Sequence, residues 1–462
     1  MGPVTVGEIA CITGGTLICG DADFKIDTVS TDSRTASEGS LFIPLKGDKF
    51  DGHDFIHDAV TNRRIGAFLT EKDIDSINES KVAIIKVSDT LKALQDMALY
   101  NRKKLNIPVI AITGSTGKTT TKDMISSVLS TKYKTLATEG NLNNEIGLPL
   151  TLLRLNSSHE MAVVELGMNQ LGEIHRLASI SIPDVAIITN IGLSHIGMLK
   201  SQKNIFKAKM EIFDYFHDGC MAILNGDDPY LRSIEDSFEF PILYIGIEDG
   251  NSYLKAYDIE VSEDGISYYI DIGDKNHRIE LSIPGIHNVY NSMFAIAVGL
   301  LYEVDMENIK RTLYNFKPGE ARLNIFTIKN DIKVIDDVYN ANPASMRASL
   351  SVLGTMIGRR KIAILGDMLE LGSYSKEAHM EIGRVAVQEG VDILITVGDD
   401  SKYIAFGAKE AGLDDSKIKS FSCNKDVIQY LDTIITAGDT ILIKGSRGMK
   451  MEYITNYLRE RS

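Results

Sequence analysis

A short run of small and polar residues carries the clearest chemical signal in this sequence. It follows the predicted strand Val109–Thr113 and reads Gly114-Ser115-Thr116-Gly117-Lys118-Thr119-Thr120. Small residues let successive backbone N–H groups converge on phosphate oxygens, and the helix that carries the lysine adds partial positive charge at its N-terminus. Lys118 would reach the β- and γ-phosphates, and the Thr119 hydroxyl would hold Mg²⁺. The pattern predicts a nucleoside triphosphate site, although its two glycines stand closer together than in the common P-loop.

Two further polar residues stand where predicted strands end. Glu165 closes one apolar strand, and His195 follows another. The carboxyl ends of parallel strands meet at one edge of a sheet, so both side chains are expected beside the triphosphate. A carboxylate and an imidazole there could complete the coordination of Mg²⁺. Each residue alone is more often structural or solvated, but their joint placement favours a metal site.

A predicted helix over residues 203–213 contains two lysines that are two positions apart, Lys207 and Lys209. Residues two positions apart lie on different faces of a helix, so one could turn inward while the other faces water. A buried lysine loses its charge readily and can act as a nucleophile or react with CO₂. The alternative, two solvated lysines, stays open at this point.

Composition restricts the class of protein. A chain of 462 residues is too long for one core and should divide into about three domains. Its net charge of −14, without any block of Lys and Arg, argues against nucleic acid or an anionic membrane as partner. Neither a signal-peptide pattern nor a membrane-spanning apolar stretch is present, and the four cysteines are scattered. We therefore expect a cytoplasmic protein with reduced thiols.

The pattern of elements predicts an α/β protein of three domains, over residues 1–105, 106–318 and 319–462. Asn106-Ile107-Pro108 and Lys317-Pro318-Gly319 mark the two boundaries. The first domain mixes short strands and helices. The second should be a doubly wound parallel sheet with a small antiparallel appendage, and the third a Rossmann-like α/β domain.

Short apolar runs of buried-strand type locate the strands of the last two domains. They are Val109–Thr113, Met161–Leu166, Val185–Asn190, Met221–Asn225, Val334–Asp337, Lys361–Leu365, Ile393–Val397 and Thr440–Ile443. Period-two alternation between Tyr253 and Ile283 predicts the appendage. Helices are predicted over Asp89–Lys104 and from His287 to Tyr302.

Several motifs together resemble the Mur ligase family, and the resemblance covers the whole chain. The ATPase domain of that family is similar to Gly114–Thr119, Gly140–Leu150, Glu165, Asn190–His195 and Ala208-Lys209. Further similarity, to one member of the family, lies in Thr31–Arg34, Asp51–Phe55, His287–Asn291, Asp336–Pro343, Gly366–Gly372 and Lys444–Arg447. Each string is short, but the combination is highly specific.

The resemblance implies an ATP-dependent amide ligase. Lys118 and Thr119 would bind the triphosphate and a first Mg²⁺, and Glu165 and His195 would complete the metal sites. Lys209 would react with CO₂, and the resulting carbamate would hold a second Mg²⁺. Lys118, Lys209 and His195 would be the catalytic residues.

The resemblance also implies how the three domains divide the substrates. The first domain would bind the UDP-sugar peptide, the second would bind ATP, and the third would act as the ligase domain. His287, Asn288 and Asn291 would lie near the adenine. Arg322 and Asp337 would approach the nucleotide from the third domain, with Asp336 as the open alternative to Asp337.

Substrate contacts implied by the resemblance fall in all three domains. Ser33 and Arg34, with Asp51 and His53, would hold the uridine diphosphate end. The other substrate-binding residues would be Asn143, Asn144, Tyr339, Asn340, Asn342 and Arg447. Arg447 could pair with the carboxylate of an incoming dipeptide, since guanidinium and carboxylate form two parallel hydrogen bonds.

The implied reaction joins D-alanyl-D-alanine to the tripeptide carboxylate of UDP-N-acetylmuramoyl-tripeptide through an acyl phosphate, with small-molecule substrates only and a monomeric enzyme. The third residue of the peptide, lysine or diaminopimelate, is left open. One alternative is the sibling ligase that adds the third amino acid, although its Asp-Asn-Pro-Arg type of motif is absent. Another is an ATP-driven switch that acts on a partner protein.

Overall fold

The computed structural model describes residues 1–47, 49–73, 82–319 and 321–461. Three larger sheets follow one another along the chain, and helices pack on each of them. In the described ranges, no helix combines the length and the apolarity needed to cross a membrane.

The first segment is a mixed α/β unit. Its strands are β1 (Val4–Thr5), β2 (Thr16–Cys19), β3 (Lys25–Ile26), β4 (Val29–Ser30), β5 (Leu41–Phe42), β6 (Ala67–Thr70) and β7 (Ala83–Lys86). Its helices are α1 (Val6–Thr13), α2 (Ile56–Arg63) and α3 (Thr90–Leu105). The main sheet has the order β2-β7-β6-β5-β4, with β2 antiparallel and the others parallel, while β1 pairs with β3.

Helix α3 joins this unit to the next one. Asp89 caps its N-terminus by accepting a hydrogen bond from Lys92 N, and Asn106 ends it in the left-handed region. The predicted helix is therefore confirmed to within a residue. Arg102 donates to Ser181 O and to Asp184, and buried Asn101 donates to two carbonyls of the central unit. Since these donors are buried and satisfied, the first and central units are fixed to each other.

Seven parallel strands form the central sheet, in the order β14-β13-β12-β11-β8-β10-β9. They are β8 (Val109–Thr113), β9 (Thr135–Ala137), β10 (Met161–Glu165), β11 (Val185–Ile188), β12 (Met221–Asn225), β13 (Ile242–Gly246) and β14 (Leu254–Lys255). Every residue of β8, β10 and β11 is buried, which explains their continuous apolar runs. Strands β9 and β10 lie on one side of β8, and β11 to β14 lie on the other side. The strand order therefore reverses at β8, and its carboxyl end lies at the switch point where α/β sheets bind ligands.

Helices cover both faces of the central sheet. They are α4 (Lys118–Leu129), α5 (Gly147–Leu153), α6 (Glu173–Ser181), α7 (Ile196–Leu199), α8 (Gln202–Met210), α9 (Pro229–Arg232), α10 (His287–Leu301) and α11 (Met306–Tyr314). The predicted appendage is confirmed as an antiparallel sheet of β15 (Tyr257–Val261), β16 (Ile266–Ile272) and β17 (Lys275–Leu281).

The last segment carries a six-stranded sheet of order β18-β19-β23-β20-β21-β22. Its strands are β18 (Asn324–Ile328), β19 (Ile332–Asp336), β20 (Arg360–Gly366), β21 (Ile393–Val397), β22 (Ile418–Phe421) and β23 (Asp439–Lys444). Its helices are α12 (Pro343–Thr355), α13 (Ser375–Gln388), α14 (Lys402–Glu410), α15 (Asn424–Ile434) and α16 (Glu452–Arg459). Only β18 is antiparallel to its neighbour, so the sheet is otherwise of the predicted Rossmann-like kind.

The central and last units meet at two glycines. Gly197 N donates to Glu370 O at 2.9 Å. A Cβ atom on Gly197 would lie 2.6 Å from that oxygen, and one on Gly372 would lie 3.0 Å from Gly197 Cα. Beside them, Asn342 Nδ2 donates to Ser194 Oγ at 2.7 Å. The close approach of the two units therefore requires a residue without a side chain at position 197.

We predict that Gly197→Ala separates the two units. The added methyl group has no room, and overpacking of this kind costs about 1–3 kcal/mol. Small-angle X-ray scattering should show a larger radius of gyration than for the wild-type protein. Gly250→Ala is the matched control, because a Cβ atom there meets nothing within 4 Å. Equal radii for all three proteins would show that this contact does not hold the units together.

Candidate active site

The phosphate loop stands where the sequence predicts it, between β8 and α4. Gly114 and Gly117 have φ values of +152° and +78°, and a Cβ atom at Gly114 would lie 1.8 Å from Thr189 Oγ1. Lys118 begins α4 and donates from Nζ to Gly114 O at 2.8 Å. The ammonium thus lies across the loop, where phosphate oxygens would compete for it.

The end of β11 holds the loop in shape. Asn190 accepts from Ser115 N through its carbonyl and from Thr116 N through its side chain, both at 3.0 Å. Thr189 Oγ1 donates to Thr116 O, and Gly192 N donates to Ser115 Oγ. The remaining loop N–H groups are therefore held in one fixed arrangement before any phosphate binds.

Glu165, at the end of β10, is 3% exposed and accepts two side-chain hydrogen bonds. Thr119 Oγ1 donates to its Oε2 and Asn143 Nδ2 to its Oε1, each at 2.7 Å. A hydroxyl and a carboxylate are oxygen ligands that suit Mg²⁺. No group of three or more His, Cys, Asp or Glu residues in the described chain is placed to hold a metal ion. The donor set thus fits a Mg²⁺ that takes its other ligands from phosphate and water.

His195 lies at the N-terminus of α7, with a left-handed backbone φ of +61°. Its Nδ1 is 2.7 Å from Glu370 Oε2 of the last unit. Burial lowers the pKa of this imidazole, although the Glu370 carboxylate opposes the change. The ring borders the same cleft as Glu165, so its place is compatible with the predicted metal role, which remains a prediction.

Lys209 is the inward lysine of the pair on α8, while Lys207 is exposed. In the part of the chain that the structure describes, no hydrogen bond or ion pair reaches the side chain of Lys209. Burial lowers its pKa well below the usual value, and the positive charge of Lys118 lowers it further. Both effects favour the neutral amine over the ammonium.

The first turn of α10 borders the phosphate loop. Asn291 is 4% exposed, and its Oδ1 accepts from Thr121 Oγ1 at 3.1 Å. Asn291 Nδ2 donates to Asn288 Oδ1, so the two amides support each other. His287 lies at the cleft, where burial lowers its pKa to about 4 and keeps the ring neutral at neutral pH.

Asp337 is the aspartate of its pair that faces the cleft, whereas Asp336 pairs with Arg459 on the other side. Lys444 Nζ and Ser349 Oγ both donate to Asp337 Oδ2 at 2.5 Å, and Leu323 N donates to Oδ1. Despite its burial, these donors and the lysine charge hold the pKa of Asp337 below its usual value. Asp337 lines the cleft and Asp336 does not, and the contact of Asp337 with the nucleotide remains a prediction.

These groups surround one cleft of about 890 Å³ between the central and last sheets. Of the residues singled out from the sequence, it is lined by Ser115 to Thr120, Asn143, Asn144, Glu165, His195, His287, Asn288, Asn291, Arg322, Asp337, Tyr339, Asn340 and Asn342. Gly114 belongs to the phosphate loop but does not line the cleft. Lys209 does not line it either, but the charge of Lys118 lowers its pKa. The cleft is large enough for a nucleotide together with part of a second substrate.

The candidate UDP-binding residues lie elsewhere, in the first unit. Asp51 Oδ1 lies 2.6 Å from His53 Nδ1, and its Oδ2 accepts from Lys72. Arg34 pairs with Asp32, and Ser33 is buried beside them. Neither these residues nor exposed Arg447 line the cleft, so their predicted roles remain predictions.

Among the charged residues of the cleft to which the sequence reasoning gave no role, Lys444, Asp227 and Asp228 follow or end predicted strands. Asp227 accepts from Tyr290 Oη at 2.8 Å and from three backbone N–H groups. Lys444 ends β23, and both aspartates follow β12. The rule that identified Glu165, a polar residue at the end of a predicted strand, could have found all three.

Comparisons with known proteins agree over the whole chain. Residues 25–102 match "Mur ligase family, catalytic domain", residues 112–299 "Mur ligase middle domain", and residues 321–447 "Mur ligase, glutamate ligase domain". UDP-N-acetylmuramoyl-tripeptide–D-alanyl-D-alanine ligase of Bacillus subtilis is 38% identical and that of Escherichia coli 34%, each over 99% of this chain and 98% of the relative.

Solved structures show the same architecture. MurF from Acinetobacter baumannii aligns with a TM-score of 0.91 at 33% identity, over 100% of this chain and 99% of that one. MurF ligase from Thermotoga maritima in complex with ADP aligns with a TM-score of 0.82 at 27% identity, over 94% and 97% of the two chains.

Lys118→Ala should abolish ATP-dependent turnover while leaving the fold intact, because the glycines and the Asn190 contacts shape the loop. Removal of one preorganised charge-stabilising group should lower kcat roughly a hundredfold to a thousandfold. Phosphate release measures the loss, and circular dichroism with thermal melting checks the fold. Near-normal turnover in a folded variant would overturn the phosphate-loop assignment.

Proposed function

The chain belongs to the Mur ligase family, and we propose that it joins D-alanyl-D-alanine to the tripeptide carboxylate of UDP-N-acetylmuramoyl-tripeptide at the expense of ATP. The product is a precursor of peptidoglycan. Curated relatives with that activity in their name are 38% and 34% identical over nearly the full length of both chains, which supports this member of the family. Use of ATP is also supported by the similarity to MurF ligase from T. maritima, whose structure is a complex with ADP.

One observation carries the proposal: the phosphate loop and residues of the last unit line the same cleft. Lys118 belongs to the central unit, and Arg322 and Asn340 belong to the last unit. A γ-phosphate on the loop would therefore face a substrate held by the other unit. Such positioning converts a bimolecular encounter into a reaction within one site.

The reaction has two steps. An oxygen of the tripeptide carboxylate attacks the γ-phosphorus of ATP, the bond to the β-phosphate oxygen breaks, and an acyl phosphate and ADP form. The amine of D-alanyl-D-alanine then attacks the acyl carbon, loses a proton, and expels inorganic phosphate as the amide forms. No side chain needs to act as a nucleophile.

Electrostatics make the first step difficult, because a carboxylate must approach a triphosphate. Lys118 and Arg322 supply positive charge on opposite sides of the cleft, and neither forms an ion pair with any described carboxylate. Their charges are therefore free to bind anions. Contact between the two units, at Gly197 and Glu370, would also limit the access of water to the acyl phosphate.

Thr119 and Glu165 would hold one Mg²⁺ of the nucleotide, with His195 as a ligand of a second. Bound there, the ions would neutralise phosphate charge. The hydrogen bond from Thr119 Oγ1 to Glu165 keeps both oxygen donors at one edge of the loop. Asn143 fixes the other oxygen of the same carboxylate.

Lys209 is proposed to carry a carbamate. A neutral amine attacks the carbon of CO₂ and releases a proton, which turns a would-be cation into an anion. The buried position of Lys209, its lowered pKa and the lack of any described counter-ion all favour the neutral amine that this reaction needs. The resulting anion would suit a Mg²⁺ that an ammonium would repel.

Phosphate release in the presence and absence of both substrates tests the proposed function. The ligase should release phosphate only when ATP, UDP-N-acetylmuramoyl-tripeptide and D-alanyl-D-alanine are all present, with one amide formed per phosphate. Steady ATP hydrolysis without the peptide substrates would instead indicate a nucleotide switch. Ligation of a free diamino acid to the corresponding dipeptide substrate would indicate the sibling ligase.

Lys209→Ala should be nearly inactive, since it removes the carbamate and leaves space for a small anion. Formate or acetate at millimolar concentration should restore part of the activity by replacing the carbamate. Lys207→Ala is the matched control and should retain its activity, because Lys207 is exposed. Full activity of Lys209→Ala in CO₂-depleted buffer would remove Lys209 from the mechanism.

Arg447→Lys should raise the KM for D-alanyl-D-alanine much more than the KM for the UDP substrate. Arg447 lies just beyond β23, at the edge where α/β sheets bind ligands, and lysine cannot form the two parallel bonds of a guanidinium. Initial rates with each substrate varied in turn give both constants. Unchanged constants, or a change for the UDP substrate alone, would exclude Arg447 from dipeptide binding.

A further inference from the structure

Arg322 borders the cleft, and no described residue forms an ion pair with it. Its guanidinium lies over the ring of Tyr339, with Cζ 3.8 Å from the ring centroid. Among the described residues, this ring is the contact found for the Arg322 side chain. A guanidinium over an aromatic face is attracted by the ring quadrupole and keeps its N–H groups available at the edges.

The backbone brings the two residues together. Tyr339 N donates to Ala321 O at 3.0 Å, and Leu323 N donates to Asp337 Oδ1 at 3.2 Å. Ala321 and Leu323 both have left-handed backbones, with φ values of +58° and +49°. Such conformations are unfavourable for residues other than glycine and persist only when the surroundings impose them. The segment that carries Arg322 is thus fixed on both sides by the segment that carries Tyr339.

Arg322 and Lys118 line the same cleft, Lys118 from the phosphate loop and Arg322 from the last unit. Burial lowers the pKa of Lys118, and the charge of Arg322 lowers it further, whereas Glu165 opposes both. The two cations therefore border one cleft and repel each other there. A guanidinium without support would be pushed away from Lys118 by like charge until an anion arrived.

We propose that Tyr339 is a positioning residue, which holds the Arg322 guanidinium in the orientation that receives the terminal phosphates of the nucleotide. Tyr339 was expected from the sequence to contact substrate itself. In this proposal it acts through the arginine by means of its ring, and no described residue is hydrogen-bonded to its hydroxyl. The proposal rests on the proposed function in taking the ligand of Arg322 to be a nucleotide.

A second guanidinium approaches the same ring. Arg447 Cζ lies 5.9 Å from the centroid of Tyr339, near the limit for a cation–π contact. This contact is longer than that of Arg322 and therefore weaker, so loss of the ring should displace the Arg322 side chain more than that of Arg447. The ring nevertheless places the arginine predicted for the dipeptide beside the arginine predicted for the nucleotide.

The test compares Tyr339→Phe with Tyr339→Leu. Affinity for Mg²⁺·ADP and for a non-hydrolysable ATP analogue is measured by calorimetry, and the KM for ATP is measured separately from kcat. Tyr339→Phe keeps the ring and should match the wild-type affinity for the ATP analogue. Tyr339→Leu should weaken that affinity and raise the KM for ATP roughly threefold to thirtyfold, the range of a cation–π contact. Tyr453→Leu, at an exposed tyrosine, controls for the loss of any tyrosine.

A double-mutant cycle with Arg322→Met then decides whether Tyr339 acts through Arg322. In that background, Tyr339→Leu should change the affinity for the ATP analogue less than twofold. Fully additive effects, or equal losses in Tyr339→Phe and Tyr339→Leu, would overturn the proposal. Because these measurements are of binding, they remain decisive even if the ligation assay fails, and a failed ligation assay alone would reject only the proposed function.

Discussion

Unpaired positive charge at one cleft is the constraint on which the rest of the structure depends. The chain has a net charge of −14, yet Lys118 and Arg322 border one cleft without a described carboxylate in ion-pair contact with either of them. Like charges in a site of low polarity repel strongly, so this arrangement needs rigid support until anions bind. The proposed reactants, a triphosphate and a carboxylate, are those anions. Their mutual repulsion is what the cleft must overcome.

The fold supplies that support through strand ends and helix starts. Lys118 begins α4, Glu165 ends β10, and Asn190 follows β11, so neighbouring parallel strands deliver their polar residues to one edge. Opposite them, Asp337 follows β19 and is held by Lys444 at the end of β23. Two sheets thus present their ligand-binding edges to each other, and the contact of Gly197 with Glu370 sets the distance between them.

The order of apolar and polar residues predicted the strands and helices that neighbouring residues determine. Strand β8 was located to the residue because all five of its side chains are buried, whereas β22 was missed because its residues are half-buried or exposed and give no apolar run. Helical spacing placed Lys207 and Lys209 on different faces, but only packing shows which face is inside. The contacts of His195 with Glu370 and of Arg322 with the Tyr339 ring join distant or irregular segments, and no periodicity encodes them. Asp336 pairs with Arg459 and Asp337 with Lys444, each more than 100 positions away, so the sequence pattern could not tell the two aspartates apart.

The central claim is that a carboxylate and a γ-phosphate react with each other in this cleft. The most direct test is to follow the transfer of an oxygen atom from the substrate carboxylate to inorganic phosphate. The tripeptide carboxylate of the UDP substrate is labelled with ¹⁸O, the ligation is run to completion in unlabelled water, and the inorganic phosphate is analysed by mass spectrometry or ³¹P NMR. Attack on the γ-phosphorus predicts ADP together with phosphate that carries one ¹⁸O atom, because the bridging oxygen of the acyl phosphate leaves with the phosphorus. Unlabelled phosphate would contradict an acyl phosphate, and labelled AMP would show that the carboxylate attacks the α-phosphorus instead.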